Sequence, residues 1–265
     1  MDNYHYDCRF FNGYKPCKHN NNCLECTEYS PKNERILIIR SHQLGNIIKS
    51  TPILYALKKK YDNPWITWVC DSVAVPILDT NPLIDEIIEY NWEAALLLQA
   101  REFDLVINLE ANFKEAALAK SISAKKYLGF SIHDSGSLCP FNEQSLSYTS
   151  LSFSDDLRFH KNNKTFAELC FNLVGVPYNG EEYILNLTKE DYLYANNILK
   201  TINIDTEKDI VVGIAMGGDR NRFPNKCWPT EYFLRLVRIL HSEIGAKILL
   251  IGGPFESEVN PICYE

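Results

Sequence analysis

Four cysteines crowd the first 26 residues, Cys8, Cys17, Cys23 and Cys26, in the spacing C-x8-C-x5-C-x2-C. Thiolates this close in sequence can complete a tetrahedral site for zinc or iron, or hold an iron–sulfur cluster. Gly13, Pro16 and Asn20 to Asn22 between them are turn formers, suited to wrapping a metal. Little else in residues 1–33 promises to order the segment. The expectation is therefore a metal knuckle whose ion supplies the folding energy of a very small unit. Spacing does not separate zinc from iron. The other five cysteines (Cys70, Cys139, Cys170, Cys227 and Cys263) are scattered and read as small buried hydrophobes.

Two further groups could do chemistry. Gly217-Gly218 follows the apolar run Ile210–Met216, and glycines there let backbone N–H groups approach a diphosphate unobstructed. Arg220, Arg222 and Lys226 add positive charge to the same stretch of a chain whose formal net charge is −7. Arg40, His42 and Lys49 gather around the end of another apolar run, Arg35–Arg40.

These residues need a frame, and the hydrophobic pattern supplies one. Arg35–Arg40, Ile66–Cys70, Ile84–Tyr90, Asp104–Leu109 and Lys126–Phe130 read as strands, the first and fourth as buried ones. Between them lie helical patterns: Ile47 to Lys60, ending on three lysines that complement the helix dipole, then Ser72–Asp79, Glu93–Arg101 and Phe113–Ile122. Alternation of this kind predicts a doubly wound α/β sheet. Periodicity fails over Ser131–Asp156, read as a long loop. Helices are expected at His160–Val174, at Thr188–Ile202 behind a Thr-Lys-Glu-Asp cap, and at Pro229–Ile244. Strands are expected at Ile210–Met216 and Lys247–Ile251.

Composition removes several classes. The chain has 265 residues and is 46% apolar, too much for intrinsic disorder. Its longest apolar runs, Ala94–Leu98 and Ile248–Ile251, are far shorter than a membrane span. The polar, cysteine-bearing start is unlike a secretory signal, and an odd cysteine count then favours reduced thiols in a cytosol. The acidic balance argues against nucleic acid as a partner. No GxGxxG follows the first strand, which disfavours a dinucleotide-dependent oxidoreductase.

Three segments carry a family resemblance: RILIIRSHQLGNIIKSTPILYALKKKY (35–61), FDLVINLEANFKEAALAKSISAKKYLGF (103–130), and GIAMGGDRNRFPNKCWPTEYFLRLVRIL with GAKILLIGGPFE (213–240 and 245–256). In order and spacing they resemble glycosyltransferase family 9, the ADP-heptose:lipopolysaccharide heptosyltransferases. The resemblance implies a GT-B-type pair of Rossmann-like doubly wound parallel sheets, here with the second domain incomplete. It implies four parts: a cysteine-rich segment 1–33, an acceptor domain 34–175, a linker and helix 176–205, and the first part of a donor domain 206–265.

The resemblance also implies inverting transfer, without catalytic metal, of a heptose or related sugar. The donor would be ADP-heptose-like and the acceptor a lipopolysaccharide or other surface glycan, or a protein. The expected location is the cytoplasm, with the inner membrane face as an alternative. Donor contacts fall on Met216, Gly217, Gly218, Arg220, Arg222, and on Lys226 and Trp228 of the family's Lys-x-Trp-Pro. Lys114, which matches a family lysine, and Lys49 are assigned to the acceptor. The simplest members of the family begin at the first strand, so the cysteine segment is an addition. Some cysteine-bearing relatives use an iron-binding element in assembly.

In one place the chain departs from the family. Where its first turn carries an aspartate acting as general base, this chain has Asn46, and an amide does not accept a proton at neutral pH. His42, as a neutral imidazole, or Glu110, at the end of the fourth strand, could take over. Transfer could instead rest on positioning and leaving-group stabilisation alone. From a different class, the chain could be a catalytically silent binding or assembly subunit.

Overall fold

The computed structural model describes residues 4–14, 17–19, 22–215, 217 and 228–252. It divides into two compact units, Met1–Asn186 and Leu187–Glu265, and the division falls within the stretch expected as a linker.

The first unit is built on strands β1 (Arg35–Ile39), β2 (Trp65–Cys70), β3 (Glu86–Glu89), β4 (Glu102–Asn108) and β5 (Ser123–Ile132). All five run parallel, in the order β3-β2-β1-β4-β5. A short strand, β6 (Leu138–Pro140), adds antiparallel to β5 at the edge. Alternation along β1 explains its uninterrupted apolar run. Ile36 and Ile38 join Trp68, Ile107 and Phe130 in a core on one face, and Leu37 and Ile39 join Val69, Val106 and Phe103 in a core on the other. A strand buried on both faces favours apolar residues on both, so β1 reads as a continuous hydrophobic run.

Helices α1 (Leu44–Ser50), α2 (Ile53–Lys60) and α7 (Phe166–Val174) cover the first face, and α4 (Trp92–Gln99) and α5 (Phe113–Ser121) cover the second. A short α3 (Val75–Leu78) follows β2, and α6 (Glu143–Thr149) lies beside β5 and α7. The first predicted helix is broken in two at Thr51-Pro52. Pro52 has no N–H for the carbonyl of Ile48, and the Thr51 hydroxyl donates to that oxygen instead, at 2.8 Å. The same hydroxyl accepts the Ile184 N–H at 2.8 Å, tying down the chain beyond α7.

The expected loop over Ser131–Asp156 is structured. β5 and β6 form a hairpin, and Asn142 caps α6 by accepting the Ser145 N–H. A three-residue edge strand and a seven-residue helix are too short to show a period. The helix expected from His160 starts only at Phe166, where Thr165 and Glu168 form a capping box; a π-helical turn covers Leu157–Lys161.

The amino-terminal segment is ordered by contacts that sequence reasoning did not foresee. Cys8 is buried and bridges to Pro31. Arg9 pairs with Asp85 at 3.1 Å and, like Lys32, lies over the Trp65 ring. Tyr4, Tyr6 and Phe11 pack their rings together. Burial pushes the thiols of Cys70 and Cys170 up to about 12, which leaves them protonated and inert, as expected of core cysteines. Cys139 is half-buried, and Cys227 and Cys263 lie outside the described residues.

The second unit contains α8 (Lys189–Thr201), β7 (Val211–Ala215), α9 (Thr230–Ile244) and β8 (Lys247–Ile251), with β7 and β8 parallel. The cap expected on α8 is present as a Thr188/Asp191 capping box. α9 ends on left-handed Gly245, and Lys247 pairs with Asp209 at 2.6 Å.

Gly129 in β5 is the tightest backbone position in the first unit. Its φ is +90°, and a Cβ there would lie 1.9 Å from the Asn108 carbonyl oxygen. Gly129→Ala is expected to destabilise the protein by more than about 2 kcal/mol, through strain and the displaced β4–β5 ladder, read from urea unfolding.

Candidate active site

The sequence-predicted residues of the first unit meet at the carboxyl ends of β1, β2 and β4, the edge at which ligands bind in sheets of this kind. Glu110, two residues beyond β4, is the organiser. Its Oε1 accepts the backbone N–H groups of Ser41 and His42 at 3.1 and 3.0 Å, and its Oε2 pairs with Arg40 Nη1 at 3.1 Å. The same Arg40 nitrogen donates to the Leu109 carbonyl at 2.8 Å. Both Arg40 and Glu110 are buried. With both oxygens engaged, Glu110 holds the turn in place and is not free to act as a base.

The turn itself is strained. Gln43 has φ +60°, costly for a residue with a side chain, and it precedes α1. Asn46, in the first turn of that helix, donates from its side-chain amide to the Gln43 side-chain oxygen and from its backbone to the Gln43 carbonyl. Asn46 thus braces the strained residue. Lys49 is exposed farther along the same helix.

His42 is the hub of a cluster that includes two carboxylates missed in the sequence. Its Nδ1 lies 2.5 Å from Asp71 Oδ2, and its Nε2 lies 2.8 Å from Glu115 Oε1. Asp71 directly follows β2, and Glu115 sits in the first turn of α5. Glu115 is fully buried, and its Oε1 also accepts the Ser41 hydroxyl at 2.6 Å. Lys114 Nζ lies 3.4 Å from the same oxygen and 4.5 Å from the centre of the Tyr90 ring. Burial raises the Tyr90 phenol, and the negative charge of Glu115 raises it further against the opposing pull of Lys114. A carboxylate directly after a strand was a signal available for Asp71, as it was for Glu110. Glu115 carried none, because beside Lys114 it reads as a solvated helix charge.

Of the donor positions, Met216, Gly218, Arg220, Arg222 and Lys226 lie outside the described residues, and Gly217 is exposed. Trp228 packs on Tyr232 and edge-on to Phe233. Residue N′ against residue N4 is a hydrophobic staple that fixes the entry to α9.

Cys23 opens a single 3-10 turn that Cys26 caps, and both they and Cys17 are half-buried. Among the described residues no group of three or more His, Cys, Asp or Glu side chains is placed to hold a metal ion. A cleft of about 1680 Å3 opens at the opposite edge of the sheet between the amino-terminal segment and the starts of the strands. Many of its charged walls are already paired, as in Arg35–Asp104 and Arg101–Glu86, so it offers little for an ionic ligand.

The model of the family described as glycosyltransferase family 9 (heptosyltransferase) matches residues 93–261, more than half of the chain. The lipopolysaccharide core heptosyltransferase OpsX of Haemophilus influenzae is 22% identical over 240 residues, covering 87% of this chain. The chain spans 62% of that relative's length. Among solved structures, a family 9 glycosyl transferase from Veillonella parvula is similar with a TM-score of 0.67 and 24% identity, covering 86% of this chain and 66% of its own. E. coli heptosyltransferase WaaC with ADP is similar with a TM-score of 0.55 and 19% identity, covering 87% and 71%. These likenesses show the fold, a GT-B-type pair of α/β domains of which the second is represented in part.

Glu110→Ala would leave Arg40 buried without its partner and two backbone N–H groups without an acceptor. The expected loss is about 3–5 kcal/mol of stability in urea unfolding. Glu110→Gln, which keeps an acceptor oxygen for the turn, is expected to lose less.

Proposed function

The chain belongs to glycosyltransferase family 9, and we propose that it transfers a heptose or related sugar from an ADP-heptose-like donor to a lipopolysaccharide, another glycan or a protein. The observation that carries this reading is the family match across 93–261, which runs from α4 through β8. The first unit adds a polar cluster at the ligand-binding edge of its sheet. A relative of the same fold is known with ADP and with ADP-2-deoxy-2-fluoro heptose, which supports a nucleotide-sugar donor here.

In this reading the first unit binds the acceptor at the carboxyl ends of β1, β2 and β4, with Lys49 and Lys114 near an acidic acceptor. The stretch from Met216 to Trp228 meets the donor phosphates. Transfer inverts the anomeric centre and uses no catalytic metal, as the family resemblance implies. Among the described residues no helix is long and apolar enough to cross a membrane. We place the reaction in the cytoplasm or at the inner membrane face. For Cys8, Cys17, Cys23 and Cys26, structural zinc or iron is a proposal carried by spacing alone.

Incubation with ADP-heptose and a mixed acceptor pool is expected to release ADP and yield a glycosylated product, at a rate unchanged by EDTA. Donor binding by calorimetry without any product would defeat the enzyme reading and return the silent subunit. Elemental analysis of the purified protein decides the cysteines. About one equivalent of zinc or iron supports the knuckle, and no metal with freely titratable Cys23 and Cys26 removes it.

A further inference from the structure

Where the family resemblance implies a base in the first turn, this chain has Asn46, and three other titratable groups stand beside that turn. His42 cannot serve, because both of its ring nitrogens face carboxylate oxygens, Asp71 Oδ2 at 2.5 Å and Glu115 Oε1 at 2.8 Å. With a carboxylate oxygen within 2.8 Å of each nitrogen, neither is open to a substrate hydroxyl. Glu115 cannot serve either, since it is fully buried. Asp71 differs from both. Its Oδ2 is spent on His42, yet about a third of its side chain (32%) remains open to solvent.

We infer that Asp71 accepts the proton of the attacking acceptor hydroxyl, with His42 holding it and Glu115 anchoring His42. The inference rests on the sugar-transfer reading above and names a residue for its chemical step. As the acceptor oxygen bonds to the anomeric carbon, the bond from that carbon to the donor's diphosphate oxygen breaks. Its electron pair leaves with the nucleoside diphosphate. The hydroxyl proton passes to the Asp71 carboxylate, which later yields it to solvent.

Topology makes the exchange economical. β2 neighbours β1 in parallel, with Ile39 opposite Val69. The turn after β1 therefore lies beside the residues after β2, and the Asp71 backbone N–H donates to the Ser41 carbonyl at 3.1 Å. A carboxylate lost from one turn reappears on the adjacent strand.

A second observation separates this cluster from a chance gathering of charges. The Oε2 of Glu115 is buried with no hydrogen-bond partner. Leaving a buried carboxylate oxygen unsatisfied is costly. The other oxygen of the same group, Oε1, meets His42 Nε2, the ring nitrogen that does not face Asp71. The charged and titratable groups facing Asp71 and His42 are Glu115 and Lys114 from α5, Tyr90 after β3, and Glu110 with Arg40 behind the turn. Asp71 is a catalytic residue in this scheme, and His42 and Glu115 are positioning residues.

Steady-state kinetics on the full protein test the assignment. Asp71→Asn is expected to lower kcat by roughly 100-fold or more with donor KM nearly unchanged, and to abolish the acidic limb of the pH profile. Glu115→Gln should lower kcat less and move that limb without removing it. Adding Asn46→Asp to Asp71→Asn should restore much of the rate, which no purely structural role for Asp71 predicts. Should Asp71→Asn fold poorly, the single variant Asn46→Asp still tests the idea, because a second base then makes the rate insensitive to Glu115→Gln. Equal rates and pH profiles for wild type and Asp71→Asn would overturn this inference alone. A wild type that turns over no sugar nucleotide would overturn the transferase reading and this one with it.

Discussion

A single buried carboxylate, that of Glu110, governs the edge of the first sheet where the chemistry gathers. Burying a carboxylate is costly unless hydrogen bonds and an opposite charge compensate it. Glu110 spends one oxygen on two consecutive backbone N–H groups and the other on the Arg40 guanidinium. The residue is itself located by Asn108, whose side-chain oxygen accepts the Glu110 N–H at 3.0 Å and whose amide donates to the Phe130 carbonyl at 2.9 Å. Register therefore passes from β5 through β4 into the turn after β1. The strained backbone at Gln43 and the placement of His42 both follow from that hold.

The constraint redistributes roles among residues that look alike in sequence. Glu110, Asp71 and Glu115 are three carboxylates within reach of one turn, and their surroundings separate them. Glu110 is saturated with partners. Glu115 is sealed from solvent and faces a histidine, a serine and a lysine. Asp71 alone keeps an open face. Two carboxyl groups near one imidazole, one buried and one exposed, divide naturally into an anchor and a working group.

Much of this frame was legible in the chain, for a physical reason. A parallel strand between two helical layers must be apolar on both faces, so RILII and DLVIN announce themselves without alternation. The cap on α8 could be read because Thr188 and Asp191 are local, three residues apart. What could not be read is non-local or too short for a period. β6 has three residues and exists only against β5. The placement of residues 4–14 depends on Arg9 reaching Asp85 and Trp65, partners more than fifty positions away. The burial of Glu115 depends on where α5 meets the β1 turn, and nothing in FKEAAL marks that glutamate as an inside residue.

The same distinction bears on Lys114, which the family pattern assigned to an acceptor. Its ammonium group sits between the Tyr90 ring and a buried carboxylate, and nearly half of its side chain is exposed. A lysine fully committed to an ion pair would be a poor ligand for a second anion. The contact to Glu115, at 3.4 Å, is longer than a charge-assisted hydrogen bond. The charge therefore serves two directions: inward it offsets Glu115, and outward it remains available to an anionic group on the open side of the turn.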